Sequence, residues 1–429
     1  MVLIIRGKAN KFKGEIRVPG DKSISHRSIM ISSIAEGKSD IYGILKSEDV
    51  KRTIEAFKSM GVSILEYGDR ILIEGVGLKG LKRAAGPIYC GNSGTSIRLL
   101  AGILVGQDFS STLTGDESLS NRPMDRIIKP LRKMDGKIAG KEDKYPPLEI
   151  RPSQGQLKGI EYELPVASAQ VKSAILLATL YSKGATRIIE GKITRDHTER
   201  MLKHFGCELV SEKGQIYMES NQSLTGQEIT IPGDISSAAY FIVAASLIND
   251  SNIIIRGVGL NPTRTGILKV LDKMGAHIKI LNRRMVNNEP VGDIQLIASK
   301  LKGISIDGKI MGTLIDEIPI IAVAAAFAEG KTLIKGAEEL KYKESNRLAA
   351  ISEELKKMGA RVDLLADGLI IEGGNELEAA SLNSYKDHRI AMALSIAALL
   401  ANGESKIVDH ECVNISYPNF YDTLFKLLD

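Results

Sequence analysis

The stretch PGDKSISHRSIMISSIAEG (Pro19–Gly37) decides the fold, because the chain returns to it in PGDISSAAYFIVAASL (Pro232–Leu247) about half its length later. Both open on Pro-Gly-Asp, pass a serine, and run into small and branched apolar residues. Four more stretches follow the same plan: GNSGTSIRLLAGILVG (Gly91–Gly106), LPVASAQVKSAILLATL (Leu164–Leu180), MGTLIDEIPIIAVAAAFAEG (Met311–Gly330) and NSYKDHRIAMALSIAALLANG (Asn383–Gly403). Six copies about 70 residues apart are the mark of a repeated supersecondary unit. Runs such as Ile318–Ala328 and Ile390–Ala401 are apolar on nearly every side, which predicts helices packed inside a domain.

A second motif interleaves with the first. TIEAFKSMGVSIL (from Thr53), RIIKPLRKMDGKI (Arg126), RMLKHFGCELV (Arg200), ILKVLDKMGAHIKI (Ile267), AISEELKKMGARVDLL (Ala350) and a truncated YDTLFKLLD (Tyr421) space apolar residues by three and four, then mostly end on Gly. They predict half-buried outer helices with a glycine C-cap, each followed by a strand. The whole reads as an α/β protein of six units. The two Pro-Gly-Asp segments place the joint between its halves near residues 19–21 and 232–234, giving one domain over residues 20–232 and a second over 233–429.

At 429 residues the chain exceeds one ordinary core, consistent with two domains. Its 43% apolar and 25% charged residues are those of a globular protein. A net charge of +5 suits anionic ligands, but with no Trp and 5% aromatics it argues against nucleic acid. Cys90, Cys207 and Cys412 lie too far apart to suggest a disulfide framework or a zinc site. The apolar start is far short of a signal peptide, and no unbroken apolar run of about 18 residues occurs, so no membrane span and a cytoplasmic location are expected.

The polar residues fall at the helix starts, where free N–H groups and the dipole attract anions. GDKSISHR places Lys22, Ser23 and Arg27 round one such start, and GNSGTSIR places Gly94 and Arg98 at another. Arg122 precedes a helix fixed by Pro123, Ser168 and Gln170 open ASAQVK, and Arg195 leads RDHTER. His197, with no second histidine near, is read as structural rather than as a metal ligand or base. Asp316 stands before an apolar helix as a candidate proton acceptor, KYKESNR supplies Lys343, Glu344 and Arg347, and DHR supplies His388 and Arg389. Taken singly, each of these also admits a reading as a capped helix start or a solvated surface cation, and Arg122 alone reads best as the latter. Together, Lys22, Arg27, Arg122, Arg195, Lys343, Arg347 and Arg389 face only Asp316 and Glu344, a surplus that two phosphates and two carboxylates would neutralise. No P-loop, no dinucleotide fingerprint and no Ser-His-Asp arrangement is evident.

GDKSISHR, GNSGTSIR, RPM, SAQVK, RDHTE, NPTR (Asn261–Arg264), DEIP, KESNR and DHR, in this order and spacing, resemble the EPSP synthase (3-phosphoshikimate 1-carboxyvinyltransferase) family, and SAQ-x-K with R-x-H-x-E and N-x-T-R resembles its class II branch. The resemblance implies two domains of three β-α-β-α-β-β units each, the first 19 residues completing the second domain, with closure over a cleft when substrate binds. It implies transfer of the enolpyruvyl group of phosphoenolpyruvate (PEP) to the 5-hydroxyl of shikimate 3-phosphate, on the route to chorismate and aromatic amino acids. Shikimate 3-phosphate would be held by Lys22, Ser23, Arg27, Ser168, Gln170 and Arg195, with Asp316 and Lys343 at its hydroxyl. PEP would be held by Lys22, Gly94, Arg122, Gln170, Arg347 and Arg389. Asp316 and Glu344 would move the protons. A monomer, no metal or organic cofactor, and competition between glyphosate and PEP are the further expectations. Leu99 and Ile415 depart from class I, whose members carry Pro and a PEP-contacting Lys there.

The nearest rival reading is UDP-N-acetylglucosamine 1-carboxyvinyltransferase, which has Asn after the first Lys and a reactive loop Cys. Here Ser23 follows Lys22, and no Cys lies near Arg122. An RNA 3′-phosphate cyclase would use related repeats, but the mild charge and few aromatics oppose it. A non-catalytic anion-binding protein would have no need of Asp316 or Glu344.

Overall fold

The computed structural model describes residues 1–153 and 155–428. They form two compact units: Gly20–Ile231 together with Val286–Glu289, and Met1–Pro19 with Pro232–Met285 and Pro290 to the C-terminus. Within each unit one sheet pattern recurs three times. In the first unit a four-stranded sheet runs Glu228–Thr230, Glu36–Tyr42, Arg70–Val76, Ser63–Tyr67, and the first pair is parallel and the others antiparallel. Ile88–Tyr89, Ser111–Thr114, Tyr145–Arg151 and Lys137–Lys141 repeat it, as do Glu161–Glu163, Thr186–Ile189, Gln215–Met218 and Leu209–Glu212.

The second unit repeats the scheme with His277–Val286, Glu289–Ile297, Asp250–Gly259 and Lys11–Ile16, then with Ser305–Ile306, Gly330–Ile334, Leu369–Gly373 and Arg361–Leu364. Its third sheet has three strands, Val2–Arg6, Glu404–Val408 and Ser381–Asn383. The chain start therefore supplies two strands: Lys11–Ile16 pairs in parallel with Asp250–Ile255, and Val2–Arg6 pairs antiparallel with Val408–Glu404. Likewise Glu228–Thr230, at the end of the first unit, pairs with Asp40–Tyr42 near its beginning.

The six apolar runs form helices Lys22–Ile34, Gly94–Leu104, Ala169–Thr179, Ile235–Leu247, Ile318–Phe327 and His388–Leu400. Between His388 and Leu399 only Arg389 escapes full burial, so packing, not helix propensity, fixes the helix. The outer helices pack beside the buried ones on the covered face of the sheets, whose strands alternate buried and exposed residues, and Gly61, Gly206, Gly275 and Gly359 end four of them with φ between 89° and 96°, the left-handed C-cap. In Met-Asp-Gly the left-handed position is Asp135, with φ 66°, rather than Gly136. Among the described residues no helix is long and apolar enough to cross a membrane.

Candidate active site

In the first unit, Asp21 rather than Ser23 caps the Lys22–Ile34 helix, its carboxylate accepting from Ile24 N at 2.9 Å. That leaves the Ser23 hydroxyl out of the capping role. Lys22 is ion-paired to Asp49, from the start of the next helix. Arg27 lies deep: Nε donates to Thr198 Oγ1 at 2.7 Å, Nη2 to Ser173 Oγ at 2.8 Å and Nη1 to Ser23 O at 2.9 Å. It ties three helices together behind Ser23 instead of standing in solvent.

Gln170 is held at both ends, with Arg98 Nη1 donating to its oxygen at 2.6 Å and its nitrogen donating to Thr95 Oγ1 at 3.0 Å. Arg98 also reaches Pro123 O at 3.1 Å, one residue beyond Arg122. Arg122 donates to Asn92, through both its backbone and its side-chain oxygen, and to Ser118 Oγ at 3.2 Å. A Cβ on Gly94 would lie 2.7 Å from Arg98 Nη1 and in ordinary contact, 3.6 Å, with Arg122 Nη1, so the absent side chain is what admits the Arg98 guanidinium. Ser168 caps its helix through Val171 N at 3.4 Å, and Arg195 stands half-buried just before the His197–His204 helix. His197 is buried against Glu289 at 2.6 Å, in keeping with a structural reading.

In the second unit Asp316 is not a helix cap. It sits in a 3₁₀ turn (Ile315–Glu317), and its carboxylate meets Lys343 at 3.5 Å, Arg347 at 3.4 Å and Arg389 at 3.9 Å. These distances are long for ion pairs, so the three cations share it. Arg347 is 1% exposed, which overturns the reading of KESNR as a solvated helix turn. Nε reaches Asp387 at 2.8 Å and Nη2 reaches Glu344 at 2.6 Å. Burial works against the Arg347 charge, but Asp387 and Glu344 outweigh it and hold the group protonated. Asp387 caps the last buried helix, accepting from Arg389 N at 2.9 Å, and takes Ser345 Oγ at 3.0 Å. Tyr385 and Lys386, with φ of 53° and 55°, lead into it in the left-handed region, where non-glycine residues are strained. Ser236 continues the network, accepting from Arg264 at 2.8 Å and donating to Glu317.

The structure corrects the charge count made from sequence. Asp49 answers Lys22, and Asp387 and Glu317 answer Arg347 and Arg389, so the cationic surplus is smaller than seven against two. Asp49 carries a signal, an acid on the buried face of an amphipathic helix. Asp387 and Glu317 stand within DHR and DEIP, where the motifs alone give them no role. Thr95 and Asn92, which orient Gln170 and Arg122, likewise have no ligand role in the sequence reading, whereas Arg98, read as an anion ligand at its helix start, donates to Gln170 and Pro123 O. Among the described residues no group of three His, Cys, Asp or Glu could hold a metal ion.

Two buried histidines set an acid limit. Burial pushes His388 down to about 4 and His26 down to about 3. The unfolded chain titrates near the ordinary value, about 6.5. Below that pH it binds protons that the folded chain refuses, so stability falls from about pH 6.5 towards 4 and is untouched above 7. Asp387 acts in the same direction: burial favours its neutral form, yet Arg347 holds it below the usual carboxylate range. At about 1.4 kcal/mol per unit, the expected loss by pH 4 is several kcal/mol. The urea midpoint should fall between pH 7 and 4.5, and fall less in His388→Asn; a flat profile would refute the assignment.

The profile of EPSP synthase (3-phosphoshikimate 1-carboxyvinyltransferase) matches residues 7–424. A 3-phosphoshikimate 1-carboxyvinyltransferase of Thermoanaerobacter sp. (strain X514) is 52% identical over 98% of this chain and 99% of its own. That of Brevibacillus brevis is 48% identical over 98% of each. Among solved structures, EPSP synthase from Acinetobacter baumannii aligns with a TM-score of 0.90 and 44% identity over 99% of this chain and 98% of that one. The enolpyruvyl transferase NikO from Streptomyces tendae shares the fold, with a TM-score of 0.80 at 18% identity over 99% and 97% of the two chains. These relatives favour the shikimate branch over the UDP-N-acetylglucosamine one. With its motifs in order and its length matched end to end, the chain belongs to the EPSP synthase family.

Proposed function

We propose that the chain transfers the enolpyruvyl group of PEP to the 5-hydroxyl of shikimate 3-phosphate and releases phosphate, using the residues described above. The observation that carries the assignment of roles is the loosely shared Asp316 carboxylate beside the tightly paired Arg347–Glu344. Ser23, Ser168, Gln170 and Arg195 hold shikimate 3-phosphate, with Arg27 adding charge from behind Ser23. Lys22 touches both substrates. Arg122, Arg347 and Arg389 clamp PEP beside Gly94 and Gln170.

An arriving PEP anion replaces Glu344 on Arg347, and the released carboxylate takes up a proton from water, passes it to the PEP methylene, and later takes back the methyl proton. Asp316 accepts the proton of the attacking hydroxyl, and Lys343 stabilises the oxygen as the tetrahedral intermediate forms. Loss of one methyl proton and of phosphate restores the double bond on the product. The chain acts as a monomer in the cytoplasm, with domains over 20–232 and over 1–19 plus 233–429. Phosphate release from PEP, with shikimate 3-phosphate or with UDP-N-acetylglucosamine as acceptor, tests the reading. Release with the second acceptor alone would move the chain to the rival family, and a rate untouched by excess glyphosate at low PEP would remove the competition proposed between them.

Gly94→Ala gives a further check. The new methyl must displace the Arg98 guanidinium, which is the flexible end of a side chain, so the fold survives. Gln170 and Arg122 lose their alignment, and KM for PEP should rise roughly tenfold, the worth of one charged hydrogen bond. An unchanged KM would show that the contact is not used.

A further inference from the structure

We infer that Lys172 and Glu190, buried beneath the site, are positioning residues that set Arg195 relative to Ser168 and Gln170 through Thr194. The inference rests on the function proposed above. Lys172 is the last residue of ASAQVK, two places beyond Gln170, and its side chain is 1% exposed. Its ammonium lies 3.1 Å from Glu190 and 2.6 Å from Glu199, whose side chains are 4% and 3% exposed.

A buried ammonium between two carboxylates is costly unless every partner is held. Glu190 is held on its other oxygen, where Thr194 donates twice, from N at 3.1 Å and from Oγ1 at 2.5 Å. Glu190 follows the strand Thr186–Ile189, and its own N–H donates to Gly214 O at 2.7 Å. In the loop Gly191–Asp196 the first three residues are exposed and Thr194 alone is buried, directly before Arg195. One carboxylate therefore joins the helix that carries Ser168 and Gln170 to the buried point of the loop that carries Arg195. Thr198 and Glu199, on the next helix, close the arrangement: Thr198 Oγ1 bonds Ser173 Oγ at 2.6 Å and accepts from Arg27 Nε, while Arg27 Nη1 donates to Ser23 O. An ion cluster serving the core alone would have no reason to seize the residue before a ligand-binding arginine.

Thr194→Val removes one hydroxyl and keeps the branched shape, and Thr194→Ser keeps the hydroxyl. Steady-state phosphate release at saturating PEP, with shikimate 3-phosphate varied, should show KM for shikimate 3-phosphate raised about tenfold in Thr194→Val. Its kcat and its KM for PEP should stay within about twofold, and Thr194→Ser should match the parent. An unchanged KM in Thr194→Val, or a loss of kcat shared equally with Thr194→Ser, overturns the inference while the parent enzyme still turns over. A parent protein that releases no phosphate with this acceptor overturns the proposed function, and the inference falls with it.

Discussion

Asp316→Asn is expected to lower kcat by roughly 10²–10⁴-fold, the usual worth of a positioned proton acceptor. Both KM values should change little. Asn keeps the size of the side chain and can still accept from Lys343 and Arg347, so the surroundings stay in place. What it cannot do is take a proton from the attacking hydroxyl. The three cations round Asp316, at 3.4 to 3.9 Å, stand ready to turn to substrate anions while the carboxylate turns to the hydroxyl. A kcat within a few fold of the parent would assign the proton to another group.

Arg347→Met should destabilise the chain by about 3–5 kcal/mol, the cost of breaking a buried ion pair from one side. Asp387 would remain 0% exposed, its carboxylate left, among the described residues, with hydrogen bonds from Ser345 and the Arg389 N–H alone. Adding Asp387→Asn removes the orphaned charge while keeping a good helix cap. The double variant should regain most of the lost stability in urea and regain no activity. That split separates the structural work of Arg347 from its hold on PEP. If the single variant were as stable as the parent, the burial argument would fail.

The repeat and the buried helices were legible because each is a local signal. Ile318–Ala328 and Ile390–Ala401 have no polar face, and the motif residues stand at the starts of such runs. Long-range pairing was not legible in the same way. Nothing near Glu228–Thr230 says that it pairs with Asp40–Tyr42, since short strands owe their place to the partner they meet. Placing the chain start with the second domain came from the family resemblance, and pairing with Asp250–Ile255 gives it a physical basis. The acids opposite each cation were the larger gap. Lys22 meets Asp49 and Arg347 meets Asp387 because burial demands a counter-charge, a need that composition cannot assign to a residue. Arg27 and Arg347, read from sequence as anion ligands at helix starts, are also buried, because a guanidinium with several hydrogen-bonded partners tolerates the interior.

The reaction run in deuterated water tests the central claim most directly. Protonation of the PEP methylene followed by loss of a methyl proton must leave solvent deuterium in the vinyl group of the shikimate product, with phosphate released in step. Phosphate release with an unlabelled product would contradict addition and elimination at that carbon, and no release from PEP and shikimate 3-phosphate together would contradict the function itself.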